Sequence, residues 1–282
     1  MSAPLPRPAG DVVGRPAASP ARPAPPPAAA RPAPPPGAAR PARSRRHRFL
    51  PPQHGAWAML LLPYAAAVCV TGLRWPDLPL LGAWLAGYLF SYYALLAVKT
   101  GRTDRVRPQL LAYGGAAALL AAPVLLARPA VLGYAPLYAL LVAVNVWYAR
   151  RRRERALAND LASVAQSVLM VFVLATVAGV SPAALTGVAG AVAAYLVGTV
   201  LYVKTMIRER GSAGYRWASL AYHLAALLVA VVWWGLAVAV VFALLLLRAA
   251  VLPGRRLTPV RVGMIELVGC LSVLAVVVGH WA

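Results

Sequence analysis

Two short segments of this chain place the same chemistry at the same spacing. Residues 98–105 read Val-Lys-Thr-Gly-Arg-Thr-Asp-Arg, and residues 203–210 read Val-Lys-Thr-Met-Ile-Arg-Glu-Arg. Lys99 and Lys204 are thus each followed by a threonine, by an acid five residues on (Asp104, Glu209), and by an arginine beside that acid (Arg105, Arg210). Lysine and arginine together hold a phosphate through charge-assisted hydrogen bonds. A neighbouring carboxylate can orient those bases. The likeness resumes downstream, where Leu111-Ala112-Tyr113 matches Leu220-Ala221-Tyr222. We read an internal duplication with parallel halves, an arrangement that puts a site where the halves meet. It predicts a pocket at one end of the protein that gathers Lys99, Asp104, Lys204 and Glu209 with Asn159, Tyr222 and His223. That pocket is expected to carry excess positive charge and no balancing protein carboxylates.

A second set of polar residues lies within apolar sequence. Asn159 and Asp160 open one apolar run, Tyr222 and His223 lie in another, and Glu266 lies in the last. Ionisable groups inside a bilayer are costly and by default face a cavity or one another. Asp160 and His223 are therefore candidates to move a proton, and Glu266 must meet a cation or be protonated. His54, after Pro51-Pro52-Gln53, is a candidate for the cavity rim. Each has a plainer role: Asn159 or Asp160 as a helix cap, the lysines snorkelling to the interface, His223 packed and hydrogen-bonded, His54 in an interfacial anchor.

The elements that position these groups follow from composition. Of 282 residues, 61% are hydrophobic and only 12% charged, against about 25% charged in soluble domains. A water-soluble enzyme is excluded. The net charge of +21 would suggest nucleic acid on a soluble protein, but here the basic residues separate long apolar runs and set membrane topology instead. Runs of about 20 apolar residues span a bilayer, and nine are read: 56–73, 79–98, 109–127, 130–149, 160–180, 183–203, 216–233, 235–252 and 261–281. The division at Trp233-Trp234-Gly235 rests on 216–252 being too long for one span. With the amino terminus cytoplasmic, all of the 28 Lys and Arg except Arg74 and Arg128 fall on the cytoplasmic side, as short-loop charge bias requires. The expected class is all-α, a polytopic bundle with two parallel four-helix repeats and a final helix, in a bacterial cytoplasmic membrane.

Residues 1–48 are read as a separate disordered tail, rich in Pro, Arg and Ala, ahead of a membrane domain over 49–282. The tail holds 14 of the 26 prolines and lacks the apolar surface to offset its ordering entropy. It is a candidate docking segment for a protein partner. Cys69 and Cys270 lie in apolar runs, and neither a disulfide framework nor a zinc site is expected.

The segments His54-Gly-Ala-Trp-Ala-Met59, Glu154-Arg-Ala-Leu-Ala-Asn-Asp160 and Lys204-Thr-x-x-Arg-Glu-Arg210 resemble those of the YwiC-like family of bacterial multi-pass membrane proteins. That resemblance implies a class and brings no activity with it. More remotely, the architecture resembles the UbiA-type membrane prenyltransferases, in which magnesium holds an isoprenoid diphosphate between acidic loops after helices two and six. The equivalent loops here carry one acid each, Asp104 and Glu209, where the prenyltransferases carry several. Three functions follow: binding or processing of an isoprenoid or phospholipid at a cytoplasm-facing polar cavity, by prenyl or lipid-head transfer if catalytic; secondary transport of a small anion or proton-coupled solute through Glu266 and His223; and non-catalytic assembly of other membrane proteins.

Overall fold

The computed structural model describes Phe49 and residues 56–282, and His54 lies outside the described residues. Those residues form nine helices and no strand: α1 (Ala56–Thr71), α2 (Asp77–Thr100), α3 (Arg107–Ala127), α4 (Ala135–Arg150), α5 (Leu157–Ala178), α6 (Thr186–Val203), α7 (Ala213–Val229), α8 (Gly235–Val251) and α9 (Pro259–Trp281). In a bilayer every backbone N–H and C=O must be satisfied within the chain, and uninterrupted apolar helices do that without partners. Connections of a few residues then force successive helices antiparallel. The loops after α2, α4, α6 and α8 consequently gather at one end, hereafter the basic end.

The division between α7 and α8 is a true reversal. A helix running straight from residue 223 to 248 would separate those residues by about 37 Å, yet His223 and Arg248 lie 3.4 Å apart. The turn is a π-helical stretch, Ala230–Trp234, ending at Gly235 with φ 79° and ψ 173°, a conformation essentially reserved for glycine. A second π-helical stretch, Lys204–Arg208, extends α6 at the basic end.

The helices are not equally buried. The main apolar core is built chiefly from α1, α5, α6, α8 and α9, with Leu174, Val188, Val192, Val238, Val273 and Val277 fully enclosed. By contrast α3 and α4 leave large apolar side chains such as Leu119 (75% exposed) and Leu140 (62% exposed) facing outward, as lipid-facing surfaces do. Chain termination is simple at α2 and α5: Gly101 and Gly179 adopt left-handed C-caps.

Candidate functional site

Three polar assemblies occupy the basic half of the bundle. The first is a relay of amides. Gln166 Nε2 on α5 donates to Asn145 Oδ1 on α4, Asn145 Nδ2 donates to Asn159 Oδ1 (2.8 Å), and Asn159 Nδ2 donates to the Glu154 carbonyl (2.8 Å). Each amide offers both a donor and an acceptor, so the three connect end to end and hold the α4–α5 loop against the start of α5.

The second assembly is that loop and the two lysines. Lys99 Nζ pairs with Glu154 Oε1 at 2.6 Å. Lys204 Nζ pairs with Asp160 Oδ2 at 2.8 Å and donates to the Arg155 carbonyl at 2.6 Å. Because the two ammonium groups end on consecutive residues of one loop, they lie no more than roughly 16 Å apart. Arg208, on the exposed side of the pair, is 4.0 Å from Asp160. Partial burial pushes the Glu154 carboxyl up, but the Lys99 hydrogen bond, a backbone hydrogen bond and the charges of Lys99 and Arg155 outweigh it and hold the group below its ordinary range.

This corrects the expectation of an uncompensated anion pocket. The lysines have protein carboxylates, and these are Glu154 and Asp160 rather than Asp104 and Glu209. Gly101 turns the chain away just after Lys99 and leaves Asp104 and Arg105 on the exposed turn Thr103–Arg105. Glu209 follows the π-helical stretch, its backbone N–H bonded to the Lys204 carbonyl. Arg210 spends its side chain on the carbonyls of Met206 and Leu257, tying two loops together. With one acid on each loop, where the prenyltransferase resemblance implies several, Asp104 and Glu209 do not make up that acidic set. Among the described residues no group of three or more His, Cys, Asp or Glu could hold a metal ion.

The third assembly is buried between α6, α7, α8 and α9. Arg248 Nη1 donates to Glu266 Oε1. Thr199 Oγ donates to Glu266 Oε2 at 2.7 Å, and Tyr195 donates to the Glu266 carbonyl at 2.9 Å. The Arg248 guanidinium lies 4.1 Å from the centre of the Tyr202 ring, a cation–π contact that replaces part of its lost hydration. His223 Nδ1 is 2.7 Å from the Ser219 carbonyl, which can only accept, and Nε2 is 3.4 Å from Arg248 Nη2, which can only donate. His223 is therefore the neutral tautomer with its proton on Nδ1. Gly198 allows this approach: a Cβ there would stand 3.1 Å from His223 Nε2. Tyr222 is half-buried, edge-on to His223.

The pairing of Glu266 with a cation agrees with its sequence reading, but sequence reasoning misses the partner. The charge bias groups Arg248 with the topology-setting arginines. A signal does exist: Arg248 sits inside the apolar run 235–252, where an ionisable group needs a partner. Glu154 is hidden as a ligand because it lies in an arginine-rich loop. The polar residues expected around an open cavity are largely bonded to one another.

An apolar groove of ≈410 Å³ opens between α4, α5 and α6, lined by Leu137, Leu141, Ala165, Val168, Phe172 and Ala193 among others. Leu137, Leu141 and Asn145 follow each other at i, i+4 and i+8 on one face of α4, so the groove runs down onto the amide relay at the basic end.

Residues 50–175 match the family described as YwiC-like protein. Over 222 residues the chain is 32% identical to an uncharacterized protein of Haemophilus influenzae, covering 76% of this chain and 90% of that relative. Over 181 residues it is 30% identical to the uncharacterized protein YwiC of Bacillus subtilis, covering 62% and 74% of the two chains. The chain belongs to the YwiC-like family. It is a multi-pass membrane protein of that family, and the matched segment carries Lys99, Asn145, Glu154, Asn159 and Asp160, together with most of the groove. No solved structure matches it.

Proposed function

We propose that this YwiC-like protein binds an amphipathic lipid, with an isoprenoid or acyl chain in the α4–α5–α6 groove and an anionic head at the basic end. The observation that carries this reading is the groove itself: an all-apolar cleft of ≈410 Å³, within the range of about 300–1,000 Å³ usual for ligand sites, that ends on amides and beside a cluster with an outlying arginine. A single lipid chain needs such a slot, and its polar head needs donors just below it. Asn145, Asn159 and Gln166 supply neutral donors, and Arg208, 44% exposed, supplies charge. Lys204 and Asp160 act as the rigid floor that holds Arg208 in place. The positive-inside bias of the sequence supports assigning this end to the cytoplasmic side of a bacterial inner membrane.

The test is cross-linking with a photoactivatable isoprenyl phosphate and a matched phospholipid. Label should fall on α5 between Leu161 and Phe172, and A165F with A193F, which fill the slot, should remove it. Label spread evenly over α3 and α4 would overturn the reading.

A second reading, proton-coupled transport, is favoured by one different observation. Arg248, Glu266 and His223 form a buried set in which protonation of Glu266 would free a guanidinium beside a neutral imidazole. Proton-driven uptake in proteoliposomes that E266Q abolishes would support it. Uptake that survives E266Q would remove it.

A further inference from the structure

The end of the bundle opposite the basic loops holds a second feature, built from the two basic residues that the charge bias leaves there. Arg74 lies between α1 and α2 and Arg128 between α3 and the next turn, 54 positions apart in the chain. The two residues nevertheless line one pocket of ≈520 Å³, together with Trp75, Pro76, Ala127 and Val177. Each arginine is anchored on a helix terminus. Arg74 Nη1 donates to the carbonyls of Thr71 (2.9 Å) and Gly72 (3.4 Å) at the end of α1, and Arg128 Nε donates to the Val177 carbonyl (3.0 Å) at the end of α5.

Helix capping accounts for one edge of each guanidinium and leaves the rest. Two guanidinium groups carry ten N–H donors, of which these contacts use three. Among the described residues neither side chain lies within 4.0 Å of a carboxylate. The nearby acid, Asp77, is only 1% exposed, and its Oδ2 accepts the Arg74 backbone N–H at 2.7 Å. The same turn is closed by Asp77 N–H to the Arg74 carbonyl (3.0 Å) and by Tyr64 hydroxyl to the Asp77 carbonyl (2.6 Å). Arg74 is thus preset by its backbone, and both cations line the pocket while the buried Asp77 carboxylate, whose charge acts on Arg74, lies outside that lining. Such a pair is favourable only with an anion to share.

We propose that Arg74 and Arg128 together bind a phosphate group, presented as the phosphodiester of a lipid head group in the leaflet opposite the basic end. Two planar forks held on separate helix ends match phosphate oxygens better than a single carboxylate. The surroundings favour the lipid over a soluble source. Trp75 is 63% exposed beside the pocket, as interfacial tryptophans are, and Leu126, next to the lining residue Ala127, is 86% exposed. The pocket therefore opens where acyl chains and head groups meet.

A photo-cross-linking residue at Leu126 reads this site alone, apart from the 26 basic residues elsewhere. In nanodiscs it should capture phosphatidylglycerol about tenfold more than phosphatidylcholine with identical chains, because the choline ammonium would set a third positive charge beside the two arginines that grip the phosphodiester. The preference should vanish in R74Q/R128Q. Because those substitutions also remove caps, A127F, which fills the pocket and keeps both arginines, serves as the second variant and should remove it too. Loss of the cross-link on adding millimolar inorganic phosphate would assign the same site to a free phosphate. Equal capture of the two lipids, with no effect of phosphate or of either variant, overturns the proposal.

Discussion

Lys99 and Lys204 occupy the same position in the same motif and meet opposite fates. The Lys99 side chain is 44% exposed and pairs with Glu154, itself 32% exposed. The Lys204 side chain is 3% exposed and is held by Asp160 and a carbonyl. The backbones differ as well, since α2 stops at a left-handed Gly101 while α6 runs on into a π-helical stretch. The lesson concerns surroundings. α6 lies in the core among α1, α5 and α9, so its last charge is shut inside the bundle, whereas α2 lies toward the edge beside α3. An identical residue becomes a structural pin in one place and a surface tether in the other.

The sharpest way to break this contrast is Lys204→Gln. Removing one partner of a fully buried pair costs about 3–5 kcal/mol; Asp160, 22% exposed and still 4.0 Å from Arg208, sets the loss toward the lower part of that range. Thermal unfolding in detergent should show a large loss, and D160N with K204Q should recover part of it. A loss no greater than that of Lys99→Gln would end the distinction.

Next in size is Asn145→Leu, which cuts the amide relay between Gln166 and Asn159. An unsatisfied buried amide costs about 1–3 kcal/mol, and Asn159 would lose the group that orients it toward Glu154. The loop would then loosen under both lysines, so proteolysis within 151–156 should accelerate along with the stability loss. Stability loss without faster cleavage would show that the relay does not hold the loop.

Lys99→Gln itself should cost less than about 1 kcal/mol, the usual worth of an exposed pair. Half-molar salt should erase that difference while leaving the effect of Lys204→Gln largely intact, because buried pairs are screened far less. Equal salt sensitivity at the two sites would argue that both are solvated.

The smallest expected effect is a pH dependence. The Glu154 carboxyl is held below its ordinary 4.5, so the stability it contributes is present above that value and is lost as pH falls through its lower folded value. The gap between wild type and Lys99→Gln should therefore be constant near neutrality and close only in acid. A gap that closes near neutral pH would show that another group controls the pair.

Much of this protein is legible in its residues alone. Apolar run length and the placement of Lys and Arg mark the spans, and Trp233-Trp234-Gly235 marks a boundary that the His223–Arg248 contact turns into a chain reversal. Glu266 reads as needing a cation, because a lone carboxylate in an apolar run is too costly. These readings depend only on local composition, since the bilayer acts on each segment separately. The partners are not legible. Lys99 finds Glu154, Lys204 finds Asp160, and Glu266 finds Arg248, each across a gap that the sequence does not close. The acids nearest in sequence, Asp104 and Glu209, lose out because Gly101 and the π-helical stretch after Val203 direct the chain away from the lysines.

The sequence by itself determined that this chain is a helical membrane protein, roughly where it crosses, and which residues could not stand alone in lipid. It did so because hydrophobicity and charge act on each segment whatever its neighbours. Only the tertiary structure decided which helices form the core, which of two equal lysines is buried, where the apolar groove runs and which charges meet. Those outcomes rest on contacts between helices distant in the chain, where short-range packing and hydrogen-bond geometry select one partner among several of equal charge.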